Sequence, residues 1–165
     1  MKVTSNGIVN GRIDRKYGKY GSQCNEDGVP SCSLPVEILD APEGTESFAL
    51  ILEDKDAIPV CGFSWIHWTA ANITRTTLAE GESAAHPDYV QGVNSFASAL
   101  QGYDPQRNSC YGGMTPPDCP HTYELHVYAL DTKLELEAGF YMNELYWKMQ
   151  GHILAQATLS GVYEN

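Results

Sequence analysis

The chain has 165 residues, 42% of them hydrophobic and 19% charged, with a formal net charge of −11. That is one domain's worth of sequence, able to bury roughly 70% of its unfolded surface and to fold without a disulfide or metal staple. The charge argues against nucleic acid or an anionic membrane surface as a partner, because phosphate backbones need Lys and Arg to neutralise them. Any anion must be caught locally, against the overall field.

A single domain over residues 1–165 is expected, since no repeat, low-complexity tract or linker divides the chain. The opening MKVTSNGIVNGRID has no apolar core, so no signal peptide is expected. The longest apolar run, residues 48–52, is far too short for stable membrane insertion. Cys24, Cys32, Cys61, Cys110 and Cys119 form no C-x-x-C pair and read as reduced thiols of a cytoplasmic protein. Asn72-Ile73-Thr74 fits a glycosylation sequon, which means little without secretion.

In chain order, SNGIVNGRID carries two Asn-Gly steps and predicts short edge strands with tight turns. RKYGKYGSQCNEDGVPS reads as loop, LPVEIL as a short strand and APEGTE as a turn. SFALILEDKD is apolar on both faces and predicts a central strand. GFSWIHWTAANI predicts a second good strand, and residues 75–120 predict long loops with one short strand around 90–96. HTYELHVYALD is a third strong strand. Only the tail reads as helical, from Asn143 as N-cap through Leu145, Met149 and Ile153, with Gly151 as a weak point. LSGVY closes the chain as a strand.

Residues i and i+2 of a strand share a face, and three pairs use this. Asp54 and Asp56 follow Phe48, Leu50 and Leu52 on one parity. Trp65 pairs with His67, and His121 with Tyr123. Alone, two aspartates read as a solvated turn, Trp65 as core, and His67 as a histidine satisfied by a backbone carbonyl. His86, His126 and His152 are assigned no role.

Convergent strand ends would serve one of three chemistries. Two histidines and a carboxylate suit iron or zinc, although no spacing here matches a strong metal motif. Hydrolysis by an activated serine rests on Ser64, in a GFSWI segment that lacks the second glycine of G-x-S-x-G. The third is an anion pocket, with two aspartates keeping His67 or His121 charged and the N–H groups of Gly112, Gly113 and Met114 cupping an oxygen. Affinity would then fall as pH rises through the histidine pKa values.

PEGTESFAL, EDKDA, SWIHW, QGVNSF, the YGG-x-x-PP-x-x-x-H-x-Y segment and GHILAQATLSGVY, in that order, resemble the phosphatidylethanolamine-binding proteins (PEBP). The likeness is greatest to the bacterial and archaeal branch called Raf kinase inhibitor-like, and it runs roughly from Val3 to Tyr163. The resemblance implies a mainly β fold, a sandwich of two packed antiparallel sheets with a C-terminal helix and few others. It implies a small cavity for phosphate or phosphorylethanolamine-like groups, formed by Asp54, Asp56, Trp65, His67, Gly113, Pro116, Pro117, His121 and Tyr123. The paired prolines would stiffen one wall.

The chain departs from the family pattern in three places. Asp54-Lys55-Asp56-Ala57-Ile58 lacks both prolines of the usual Asp-Pro-Asp-Ala-Pro, and His121-Thr122-Tyr123 stands where many relatives have His-Arg-Tyr. The segment DPQRNSC, residues 104–110, is longer than in many bacterial relatives and is expected to lid the pocket or reshape its mouth. Cys119 reads as an inert loop thiol.

The expected function is a non-catalytic binding or regulatory protein with a small anion as ligand and without metal or cofactor. One rival is a kinase or protease inhibitor acting through surface loops, with an incidental pocket. The other is a hydrolase using His and Asp. A protein partner of kinase or protease type and a homodimer are expectations of the resemblance.

Overall fold

The computed structural model describes residues 1–85 and 87–165, so His86 lies outside the described residues. Its strands and helices in chain order are β1 (Lys2–Thr4), β2 (Ile8–Val9), β3 (Arg12–Ile13), β4 (Val36–Leu39), β5 (Ser47–Asp54), α1 (Ile58–Cys61), β6 (Trp65–Ile73), β7 (Thr77–Leu78), β8 (Val90–Gly92), β9 (His121–Leu130), α2 (Met142–Met149) and β10 (Ile153–Tyr163). They build a seven-stranded sheet, ordered β2-β3-β10-β9-β5-β6-β8, and a three-stranded sheet, β1-β4-β7. Pairing is antiparallel except where β3 lies parallel to β10. No helix among the described residues is long and apolar enough to cross a membrane.

The apolar run of β5 explains this layering. Every residue of β5 is buried. Phe48, Leu50 and Leu52 point into a core shared with Val3, Val36 and Ile38 of the small sheet. Ala49 and Ile51 alternate to the other face, into a second core with Leu130, Leu134, Phe140, Leu145 and Met149. A strand covered on both sides needs no polar face, and each large side chain buried this way contributes about 1.5–3 kcal/mol.

The second core depends on α2 and on the segment before it. α2 begins one residue before Asn143, and its first turn is closed by Glu144, whose carboxylate accepts the Tyr141 N–H at 2.7 Å. Gly151, with φ +81°, turns the chain out of the helix, so Ile153 starts β10 rather than ending α2 as its spacing predicts. Asn72 fixes the preceding segment. Its backbone is left-handed (φ +63°), and its carboxamide donates to the Leu134 carbonyl at 2.9 Å and accepts the Leu134 N–H at 2.7 Å. The side chain pairs as a peptide group would, which leaves the sequon amide committed.

Between 75 and 120 the short strand stops at Gly92, and residues 95–97 form a 3-10 turn capped by Asn94, whose side chain accepts the Phe96 N–H at 3.0 Å. Five free cysteines are distributed over exposed and buried positions.

Candidate functional site

Because β5 is antiparallel to both neighbours, its C-terminal end lies between the N-terminal ends of β6 and β9. Asp54 is therefore paired with Trp65 on one side and Tyr123 on the other. The β5–β6 register slips here: Leu52 faces Trp68 but Glu53 faces Ile66, so His67 is the extra residue of a bulge. A bulge re-aims side chains. Trp68 stays in the core, while Trp65 and His67 line a cavity of about 280 Å³ with Asp54, His121 and Tyr123. Pro116 and Pro117 form the facing wall. The sequence did not mark the apolar mouth, formed by Ala57 and Val60 around α1 and by Phe96 and Leu100 beyond β8.

The charged centre is His121. Its Nδ1 lies 2.7 Å from Asp54 Oδ2 and its Nε2 lies 2.9 Å from Asp118 Oδ1. Ionised carboxylates only accept, so both ring nitrogens donate and the ring is an imidazolium. Burial opposes that charge, but the hydrogen bonds and charges of Asp54 and Asp118 outweigh it and raise the pKa above the ordinary histidine value. Asp54 and His121 are almost fully buried, whereas the Asp118 side chain is 56% exposed. His67 differs. Burial lowers its pKa, against the raising effect of the Gly112 carbonyl, which accepts its Nδ1–H at 2.7 Å.

Two lining residues carry buried polar atoms without a hydrogen bond among the described residues, Trp65 Nε1 and Tyr123 Oη. Burial, reinforced by the nearby Asp54 carboxylate, pushes the Tyr123 phenol far above its ordinary pKa, so it stays a neutral donor. An unpaired buried donor costs about 1–3 kcal/mol, which singles out these two atoms.

The structure places several of the residues singled out by the sequence elsewhere. Asp56 does not join the cavity: β5 ends at Asp54, whose carboxylate accepts the Ala57 N–H at 3.1 Å, and strand parity ends with it. Asp56 is exposed and instead accepts the Thr122 N–H at 2.8 Å, so Asp118 is the second carboxylate on a histidine. The backbone cup also fails. The N–H of Gly112 is bound to the His67 carbonyl at 2.7 Å, that of Gly113 to Pro30 at 2.8 Å and that of Met114 to Tyr17 at 3.4 Å. Gly113 is outside the cavity lining, and a side chain there would meet the Tyr17 carbonyl at 2.5 Å, so close packing is what it provides. Residues 104–110 form no lid, because Asn108 is buried and held by Asp27 at 3.0 Å and by the Asp104 carbonyl at 3.0 Å. Finally, Ser64 donates to Glu53 at 2.7 Å, not to a histidine.

The family model for phosphatidylethanolamine-binding protein matches residues 4–164. The chain belongs to the phosphatidylethanolamine-binding protein family. It is 49% identical over 156 residues to the uncharacterized protein YxkA of Bacillus subtilis (strain 168), covering 92% of this chain and 93% of that one. Among solved structures, the phosphatidylethanolamine-binding protein homologue CT736 of Chlamydia trachomatis is similar with a TM-score of 0.80 at 34% identity, over 99% of this chain and 97% of the other. Escherichia coli YbcL, described as a member of the mammalian PEBP family, gives 0.77 at 31% identity, over 99% and 98%.

In this PEBP family member the site is rich in aromatic and proline surface and has one buried cation. Both N–H groups of that cation are occupied by the protein's own carboxylates. A ligand can take a proton from His121 only by displacing a carboxylate, and the exposed Asp118 yields more readily than the buried Asp54.

Proposed function

We propose that this PEBP family member is a non-catalytic binding protein whose cavity receives a small phosphate-bearing group, of the kind found on phosphorylethanolamine. The observation that carries this reading is the pair of unpartnered donors, Trp65 Nε1 and Tyr123 Oη, on residues that line a cavity with an imidazolium at its edge. Phosphate oxygens would satisfy both donors, and Asp118 would swing outward to free the Nε2–H of His121. The apolar mouth at Val60, Phe96 and Leu100 would hold the carbon part of the ligand. The regulatory role follows as a proposal from the same binding step, with protein partners responding to the filled cavity.

The test is an NMR titration with inorganic phosphate and with phosphorylethanolamine at constant pH, following the Trp65 indole N–H and the histidine rings. Saturable shifts confined to Trp65, His67 and His121 are expected. No shift at millimolar ligand would overturn the reading and favour action through surface loops.

A further inference from the structure

We propose that Asp118, Cys119 and His121 form a site for a borderline divalent transition metal such as Zn²⁺, on the side of the His121 ring that faces the surface. A carboxylate oxygen of Asp118, the Cys119 sulfur and a ring nitrogen of His121 all lie within 4.8 Å of one another. Donors bound to one tetrahedral zinc at its usual bond lengths sit about 3.3–3.5 Å apart, so the cluster needs only a small contraction around the ion. Both outer ligands are free to make it, since Asp118 and Cys119 are exposed. Asp118 and Cys119 line a surface cleft with Pro120, while His121 lines the main cavity, so the three donors meet on the wall between the two. Arg12 borders the same cleft, but its guanidinium is engaged by Glu164 at 2.7 Å.

The inner side of the histidine is also arranged for this role. Nδ1 donates to the buried Asp54 at 2.7 Å, which fixes the ring and directs Nε2 outward. Metal-binding histidines are held in this way by a carboxylate behind the ring, which also raises the basicity of the coordinating nitrogen. The ion replaces the proton that now bridges Nε2 and Asp118, and the thiol gives up its own proton, so thiolate and carboxylate balance the double positive charge. Thiolate, imidazole and carboxylate together suit zinc or cobalt rather than calcium or magnesium, and a fourth position remains for water. The net charge of −11 draws cations to the surface.

A second cluster, Glu53, Glu124 and His126, is a weaker candidate. Lys55 already pairs with Glu124 and lies 3.4 Å from Glu53, so a metal would have to expel an ammonium group.

The site uses the same Nε2 of His121 that the phosphate reading would free, so the two ligands exclude each other there, and the metal is tested alone. The test titrates reduced, chelator-treated protein with Co²⁺, followed by absorption, and then adds Zn²⁺ in competition. One Co²⁺ per chain is expected, with a thiolate-to-cobalt charge-transfer band that Zn²⁺ abolishes. Cys119→Ser should lose that band, and Asp118→Asn should weaken uptake about tenfold or more. Both positions are exposed, so circular dichroism should show an unchanged fold. No uptake overturns the proposal. So does a band that survives Cys119→Ser, which would belong to another cysteine. Uptake without a thiolate signature and unchanged in Asp118→Asn also overturns it, and would belong to the Glu53 cluster.

Discussion

The Asp54 carboxylate reaches past Tyr123, the residue it faces across the β5–β9 ladder, to hold Nδ1 of His121 two positions further along at 2.7 Å. This diagonal bond joins the central strand to the start of its neighbour and sets the charge of the site. Removing one member of a buried ion pair leaves the other without compensation, at about 3–5 kcal/mol. Asp54→Ala should lose that much stability in urea unfolding, and Asp54→Asn less. A loss below about 0.5 kcal/mol for Asp54→Ala would show that the pair is not charged.

Tyr123→Phe separates structure from binding. The hydroxyl lies near the Asp54 carboxylate but makes no hydrogen bond among the described residues, so its removal should leave stability unchanged or raise it by about 1 kcal/mol. Phosphorylethanolamine affinity should fall about fivefold or more over the same substitution. Calorimetry and thermal unfolding of one preparation give both numbers, and unchanged affinity would remove Tyr123 from the ligand contacts.

Asp118→Ala should move the two proposed ligands in opposite directions. Freed of its carboxylate, the His121 Nε2–H becomes available, and inorganic phosphate should bind about fivefold more tightly. Co²⁺ should bind more weakly, having lost a ligand. Parallel titrations of one variant with both probes read the two effects separately.

Acid should weaken the fold through Glu53. Its hydrogen bond from His126 comes first among the causes that lower its pKa from 4.5 to about 2; Ser64 and Lys55 add to it, against the opposing effect of burial. A carboxylate with a depressed folded-state pKa stabilises above its unfolded value and loses that contribution as pH falls through the folded one. The total is at most about 3 kcal/mol, with about 2 kcal/mol gone by pH ~3. The change in urea midpoint between about pH 6 and about pH 3 should be smaller in Glu53→Gln than in the wild type.

Close packing at Gly113 gives a further prediction. An alanine Cβ would fall 2.5 Å from the Tyr17 carbonyl and 2.7 Å from Pro30 Cβ. Gly113→Ala should cost about 1–3 kcal/mol in chemical unfolding. Gly28→Ala puts its methyl in open space, though its φ of +78° adds local strain. A Gly113→Ala protein as stable as the wild type would show that the loop yields.

The strongest strands were legible because they obey one rule over their whole length. β5 is buried throughout and apolar over residues 48–52, and β9 and β6 carry long runs of β-forming residues into it. Parity then placed Trp65 with His67 and His121 with Tyr123 correctly on the cavity. It failed at Asp56 because the strand had ended. Asp118 was missed because it lies in a loop, where no period relates a residue to its neighbours in space. The first half of β10 was legible and overlooked: Ala155, Ala157 and Leu159 alternate with the exposed Gln156, Thr158 and Ser160. The i, i+4 spacing of Met149 and Ile153 fitted a helix equally well, and the positive φ of Gly151 decided between them. Gly112 and Gly113 mark a special backbone, but a glycine that admits a neighbouring chain and one that cups an anion look identical in sequence.

The seven-stranded sheet also constrains the order of assembly. β10 lies between β3 and β9, so residues 12–13 meet the rest of that sheet only through residues 153–163. Tyr163 reinforces the seam, with its hydroxyl on the Arg15 carbonyl at 2.7 Å and its ring wholly buried. During synthesis the first hairpin must wait, unpaired along one edge, until nearly every other residue has been made. The central β6-β5-β9 block can form earlier, because its strands need only one another. A released chain ending before residue 153 should therefore have a protease-resistant middle and a protease-sensitive beginning.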